Sequence, residues 1–438
     1  MSKKIILSTP HWTNSYPEQP PLSLLYLAAY VREKGHRVWI CDDPIGEDFA
    51  QMLDAIKPDV VGISSPTCGI SRGYGIAKYA KDKGYYTIFG GQHVSALPEE
   101  PLHYDVCDAV VVGEGEQTLV DLIESKGKGI FRGEYIKDLD TLPYPAFDLI
   151  NSEFYTTVRK RVGNSLYSFV NPLDRCLSLM SSRGCPFQCC YCYNSSKAFN
   201  YPVRYKSAEK TVEEFKYMEK MLKVNAITFL DDDFVLNKPR LEKICELLQE
   251  NKTVYWGCNS RVTDVNKDML ELLTQSGCIQ LAFGIESGNQ RILDVLGKKA
   301  TVEQAQEAVK LCHDFGVVVQ SNFMIGNKTE TEEEMMDTLK FMKLNKIDGG
   351  LGTSATIPFP GTALWEWCAE NKKLPEKISW DAFNYSDYPI NMSAVSDEKF
   401  IEIRNKFAEF LNYNLEATKS SREKKVSNWK EINKLKTF

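Results

Sequence analysis

Apolar residues along the chain keep two rhythms: short unbroken runs, and longer stretches in which they return every third or fourth position. The first marks buried parallel strands and the second amphipathic helices. In the N-terminal third the order is strand KIILST, helix LSLLYLAAYVREKG, strand RVWICD, helix FAQMLDAIK, strand VVGISSP and helix GYGIAKYAKDKG. Strands YTIFGG and DAVVVGEGE and helix EQTLVDLIES follow. This predicts an α/β domain over residues 1–135, a five-stranded doubly wound parallel sheet with its ligand crevice at the carboxyl ends of the strands. Those ends carry Ser64, Ser65 and Thr67, then Gly90, Gly91 and His93, then Gly113, Glu114 and Gly115. Glycines there let a backbone approach a bulky ligand, or simply close tight turns.

A Pro-, Tyr- and Asp-rich stretch, DLDTLPYPAFDLI, predicts a linker over 136–174. Alternation then resumes over 175–370 with strands LSLMSS, AITFLDDD, TVYWGCNSR, IQLAFGIES, VVVQSNFMIG and GLGTSATIP, separated by helices. Six strand–helix units are too few to close an eight-fold barrel, so an open partial barrel with its site at the carboxyl edge is expected. Residues 371–438 remain for a lid and a helical tail. The aromatic stretch ISWDAFNYSDYPINM (378–392) reads as a segment closing over the barrel mouth, and KSSREKKVSNWKEINKLK as a solvated basic helix.

Composition narrows the class. Of 438 residues 43% are hydrophobic and the net charge is −6, which gives no reason to expect nucleic acid as a partner. MSKKIILSTPHW is too short in apolar residues for a signal peptide, and LLYLAAYV is less than half a membrane span. A cytoplasmic protein is expected. Thirteen cysteines, an odd count, argue against a disulfide framework in that compartment.

Four of them crowd into RGCPFQCCYCYN: Cys185, Cys189, Cys190 and Cys192. A closed zinc site wants four ligands, usually as two separated pairs, and no second pair follows. Cys190, next to Cys189, would point away from a metal held by its neighbour. Three thiolates can hold a cubane iron–sulfur cluster and leave its fourth iron open.

CPFQCCYC resembles the C-x-x-x-C-x-Φ-C signature of the radical S-adenosylmethionine (SAM) superfamily, with Tyr191 as the aromatic. FLDDDFV, NSRVTDVNKDMLELLTQSGC, AFGIESGNQRILDVLGK and PFPGTALWEW are similar to its cobalamin-binding-domain subgroup. The N-terminal segments PLSLLYLAAYVREKGHRVWICD, GGQHVSALPEE and VVGEGE resemble that subgroup's Rossmann-like domain. The resemblance implies a [4Fe–4S] cluster on Cys185, Cys189 and Cys192, whose open iron chelates SAM. It implies SAM contacts from Tyr191 (adenine), Asp231 and Asp232 (methionine ammonium), Arg261 (carboxylate), Glu286 and Ser287 (ribose) and Asn322. Asp233 reads instead as the N-cap of the helix KPRLEKICELL. Cobalamin is implied at Ser64, Ser65, Thr67, Gly90, Gly91, His93, Gly113, Glu114 and Gly115, although the Asp-x-His-x-x-Gly motif that supplies a cobalt ligand is missing.

The activity the resemblance implies is methyl transfer to an unreactive carbon of a small-molecule, lipid or peptide substrate, with a flavodoxin or ferredoxin as electron donor. Radical cyclisation, rearrangement or carbon–carbon bond formation is the alternative. Methylthio transfer, with Cys41, Cys68 and Cys107 holding a second cluster, and a non-enzymatic cobalamin or redox sensor are further alternatives.

Overall fold

The computed structural model describes residues 1–12, 19–157, 169–170, 174–196, 198–199, 201–250, 253–384, 387 and 390–432. The chain falls into two compact units. One gathers Met1–Ser152, Cys190–Pro202 and Ile357–Ile390; the other gathers Glu153–Cys189, Val203–Thr356 and Asn391–Phe438.

The first unit is built on a parallel sheet of β1 (Lys4–Thr9), β2 (Arg37–Asp42), β3 (Val60–Ser64), β4 (Tyr86–Gly90), β5 (Ala109–Val112) and β6 (Gly129–Arg132), in the order β2-β1-β3-β4-β5-β6. Ile5, Ile6, Val60, Val61, Phe89 and Val110 are fully buried, as their unbroken apolar runs require. The order reverses between β1 and β3, which makes the carboxyl ends of those strands the topological switch point. Helices Leu22–Glu33 and Ile70–Asp82 end before Gly35 and Gly84, both at positive φ. The sheet has one strand more than the five expected. In β6, GIFR, half-buried and exposed residues alternate at a sheet edge, so no buried run announces it. Residues 136–152 pack against this unit: Leu139 and Phe147 are buried, and Arg32 donates to both carboxylate oxygens of Asp148.

The second unit contains β7 (Cys176–Leu179), β8 (Ser182–Arg183), β9 (Arg204–Tyr205), β10 (Ala226–Phe229), β11 (Tyr255–Ser260), β12 (Cys278–Glu286), β13 (Val318–Ile325) and β14 (Gly349–Ala355). Six of these form an open, curled parallel sheet in chain order, from β7 at one edge through β10 to β14 at the other, as expected for a half-barrel. β8 and β9 make a small antiparallel pair. Ile227, Phe229, Trp256, Cys258, Leu281, Phe283, Val319 and Phe323 are buried at alternate positions. The positions between them are small or amide-bearing: Thr228, Gly257 and Gln280 pair in one row, and Asn259, Ala282 and Gln320 in the next. Gln280 donates its amide to the Gln320 side chain at 3.0 Å, and Asn322 alone on β13 is exposed.

One helix, Asp397–Ile432, ends the described chain, and one face of its basic last turns is packed rather than solvated as expected. Lys425 donates to Asp348 (2.7 Å) and to the Val317 carbonyl (2.9 Å), and Arg422 to the Asp348 carbonyl. Lys430 reaches Asp174 at 2.8 Å and lies 4.9 Å from the Tyr255 ring centroid. Val426 and Trp429 pack on Phe169, Cys176, Ala226, Tyr255, Ile279 and Val318. All of these lie at the amino ends of the strands, which the helix plugs.

Candidate functional site

The cysteine segment lies between β8 and β9. Cys185 and Cys189 belong to the second unit, while Cys190 to Pro202 is counted with the first. Cys189 is buried; Cys185, Cys190, Tyr191 and Cys192 are half-buried. Burial pushes the Cys185 thiol pKa up, a backbone hydrogen bond from Phe187 opposes this, and the charges of Asp232 and Asp233 add to the rise. Phe187, between the first two cysteines, lies with its ring centroid 3.6 Å from the Arg261 guanidinium, and Cys189 Sγ is 3.9 Å from the Gly297 carbonyl. All thirteen cysteines are thiols. Among the described residues no three His, Cys, Asp or Glu side chains are gathered in a metal-ligating arrangement. By donor chemistry the loop fits an iron–sulfur cluster, with soft sulfur ligands on an anchored segment and no disulfide to compete.

The acidic run after β10 divides by environment. Asp231 is buried and occupied, accepting from Ser181 N (3.0 Å) and Ser181 Oγ (2.8 Å), which joins β10 to the segment after β7. Its carboxylate thereby also braces the fold. Asp232 is exposed. Asp233 is not the N-cap: Asn237 is, accepting from Arg240 N at 3.2 Å. Asp233 is instead buried, beside the carboxyl of Asp264. Burial lifts its pKa to about 7, and the neighbouring charge of Asp264 adds to this while Arg261 opposes it. Sequence reasoning set Asp233 aside, and its position five residues before the helix was the signal against a cap.

Arg261, at the end of β11, is 8% exposed. Rather than making a surface ion pair, it donates through Nη2 to the Lys298 and Lys299 carbonyls at 2.5 and 3.2 Å. Glu286 closes β12 with φ +70, in the left-handed region, beside a bulge in the β12–β13 ladder, and pairs with Lys298 Nζ at 3.1 Å. Strained backbone of this kind is concentrated at functional sites. Ser287 is fully buried, its hydroxyl 3.1 Å from Thr338 Oγ1 and accepting from Asn289 N, so it braces the strand end rather than presenting a free hydroxyl. Past β13, fully buried Glu330 accepts from Asn327 N (2.8 Å) and Nδ2 (3.0 Å) through Oε2, while Oε1 has no partner. Burial raises its pKa to about 7 against the pull of those bonds. The sequence offered no hint of Glu330, which reads as one of several helix-start acids.

In the first unit, Ser64 and Gly90 end β3 and β4 half-buried, while Ser65 and Thr67 are buried. Gly91 has φ +99, and a Cβ there would stand 2.7 Å from Ser65 N, so this glycine is required by the neighbouring strand. A Cβ at Gly113 would meet Tyr201 Oη at 2.3 Å, whereas at Gly115 it would make ordinary contacts with Leu27 and Val111. Glu114 accepts from Ile136 N at 2.9 Å. His93 is fully buried and not at the surface of the crevice. Its Nε2 is 2.8 Å from Glu100 Oε2, and its ring meets Trp380 edge-on at 4.7 Å. Trp380 Nε1 in turn donates to Glu100 Oε1 at 3.0 Å. The aromatic stretch expected over the barrel mouth is therefore fastened within the first unit through Trp380; Tyr385, Ser386, Tyr388 and Pro389 lie outside the described residues. Cys41 and Cys107 are buried and Cys68 is half-buried, with burial raising each thiol pKa, to about 12, 12 and 11 respectively.

Comparison with known proteins bears on this layout. Residues 179–342 match the radical SAM superfamily and residues 12–123 the B12 binding domain. The chain is 34% identical to an uncharacterized methyltransferase of Pyrococcus horikoshii, over 88% of this chain and 86% of that protein. It is 27% identical to the anaerobic magnesium-protoporphyrin IX monomethyl ester cyclase of Rubrivivax gelatinosus, over 74% of this chain and 62% of that one. The structure of the cobalamin-dependent SAM radical enzyme OxsB, with aqua-cobalamin and SAM bound, shares the fold: TM-score 0.72 at 16% identity, covering 99% of this chain and 76% of OxsB. No helix among the described residues is long and apolar enough to cross a membrane. The chain is an enzyme whose cofactors are a [4Fe–4S] cluster, SAM and cobalamin. It belongs to the radical S-adenosylmethionine superfamily, in the subgroup that carries a B12 binding domain.

Proposed function

We propose that the chain is a cobalamin-dependent radical SAM methyltransferase acting on an unactivated carbon of a small-molecule, lipid or peptide substrate. The observation that carries this reading is the match along nearly the whole chain to a protein named as a methyltransferase, 86% of which is covered. The cyclase, by contrast, is matched over only 62% of its length. When bound, the cofactors supply one-electron cleavage of SAM and a transferable methyl group.

In this reading residues 1–135 take cobalamin and 175–370 take the cluster and SAM, with 136–174 between them and 371–438 completing the fold. Cys185, Cys189 and Cys192 hold the cluster, and Tyr191 lies by the adenine. Asp232 and Asp233 offer acceptors for the methionine ammonium, Arg261 fixes the strand end beside it, and Glu286 and Asn322 face the nucleoside. Ser64, Ser65, Thr67, Gly90, Gly91, Gly113, Glu114 and Gly115 would hold the cobalamin, while His93 Nε2 is engaged by Glu100. A flavodoxin or ferredoxin supplies electrons, and the setting is cytoplasmic.

The test is stoichiometry. Methyl transfer of this design consumes two SAM per product, one as methyl donor and one as radical source. Reduced, cobalamin-loaded protein should therefore release S-adenosylhomocysteine and 5′-deoxyadenosine in about equal amounts. Cyclisation, the second reading that the cyclase relative favours, would give 5′-deoxyadenosine with little S-adenosylhomocysteine.

A further inference from the structure

The turn Gly297–Lys299 collects contacts from three strand-end features of the second unit. It is fixed first by its own backbone. Gly297, at φ +69, ends helix Gln290–Leu296, with Gly297 N donating to the Asp294 carbonyl and Lys298 N to the Leu293 carbonyl, both at 3.0 Å. From this fixed turn the Lys298 and Lys299 carbonyls accept from Arg261, whose guanidinium lies against Phe187 of the cysteine loop. Gln188 and Cys189 of the same loop approach Gly297 so closely that a Cβ there would lie 3.4 Å from Gln188 O. Lys298 then turns its ammonium the other way, onto Glu286 at 3.1 Å, with the two side chains 11% and 9% exposed.

We propose that Lys298 is a positioning residue for SAM: its ammonium holds Glu286 in its left-handed conformation at the end of β12, while its carbonyl fixes Arg261 against the cysteine loop. One residue thereby sets the distance between the loop that carries the cluster cysteines and the carboxylate that faces the nucleoside. The inference rests on the placement of SAM argued above. The physical need is plain. A residue held at φ +70 carries backbone strain, and a buried partner cation on its carboxylate keeps the side chain pointed in one direction. Removing the ammonium takes away the ion pair that orients the Glu286 side chain.

The test uses the reconstituted full chain and reads SAM binding through the change it produces in the electron paramagnetic resonance signal of the reduced cluster, alongside iron content. Lys298→Met should weaken SAM by about tenfold, with iron content and the SAM-free signal unchanged. Lys298→Arg, which keeps a cation for Glu286, should recover most of the affinity. Glu286→Gln should weaken SAM on its own, and adding Lys298→Met to it should cost nothing further, because the two act as a pair. The double variant also removes both buried charges together, so it folds even if Lys298→Met alone loses its cluster. Normal SAM affinity in Lys298→Met beside a weakened Glu286→Gln, or additive losses in the double variant, would overturn the positioning role alone. Normal affinity in Glu286→Gln would overturn the placement of SAM at this strand end, and the inference with it.

Discussion

The two ends of the second sheet use the same residue types and leave them in opposite states. At the amino ends, Asp174 and Asp348 are buried and met by Lys430, Lys425 and Arg422 from the last helix, with Val426 and Trp429 filling the space between. At the carboxyl ends, Asp233 is buried beside a second carboxyl, Asp264, Glu330 is buried with its carboxyl pKa pushed up, and Glu286 is held in a strained backbone. The amino end is a network of buried ion pairs that stabilises the fold. The carboxyl end keeps buried carboxyl groups whose pKa values are raised, at a cost in stability, where chemistry can use them. The contrast is between stability and chemistry within one sheet.

The sharpest way to break this contrast is at the cysteine loop. Replacing Cys185, Cys189 and Cys192 together by Ala should abolish iron binding and the visible absorbance of the cluster, whereas Cys190→Ala should keep most of both. Loss on Cys190→Ala alone would mean that the three-thiol assignment is wrong.

At the opposite end the effect should fall on stability only. Asp348→Asn leaves the Lys425 ammonium facing a neutral amide in a buried site, and should cost about 4 kcal/mol of unfolding free energy. Chemical denaturation reads this loss, and SAM affinity of the folded fraction should match that of the parent. A change in affinity would erase the division between the two ends.

Glu330 gives the contrast a pH signature. Its carboxyl pKa rises from 4.5 to about 7 on folding, so the folded state favours the proton. The associated stability is present below about pH 4.5 and is lost as pH rises to about 7, amounting to about 3 kcal/mol. Glu330→Gln should flatten that part of the stability–pH profile; an unchanged slope would assign it to other groups.

The smallest effect is expected in the first sheet, where Gly91 and Gly115 separate fold from ligand. Gly115→Ala should change stability by no more than about 1 kcal/mol, since its Cβ has room and the position caps helix Glu116–Ser125. Any loss of hydroxocobalamin binding then reports on the site. Gly91→Ala should unsettle the domain itself, because of its φ and the approach of Ser65. Equal stability of the two variants would contradict this distinction.

Most strands of both sheets were legible because buried parallel strands leave unbroken apolar runs, as VVGIS and AITF do. β6 was not, since a four-residue edge strand needs no such run. The docking of the tail was hidden by distance: Lys430 and Asp174 are 256 residues apart, and nothing near either announces the pair. At the site, residue types and spacing singled out the cysteine loop, and the resemblance implied Glu286, but neither showed which aspartate braces the fold. Asp231 and Asp233 are two residues apart on one run, and only the fold gives Ser181 to the first and Asp264 to the second. His93 reads as a crevice residue because its partner Trp380 returns from the far end of the chain, 287 residues on.

The most direct test of the central claim is an anaerobic reconstitution followed by titration with SAM. The account predicts about four irons and four sulfides per chain, and a reduced-cluster paramagnetic signal that changes as SAM binds the open iron. Zinc bound without iron or sulfide, or a cluster whose signal is indifferent to SAM, would contradict it.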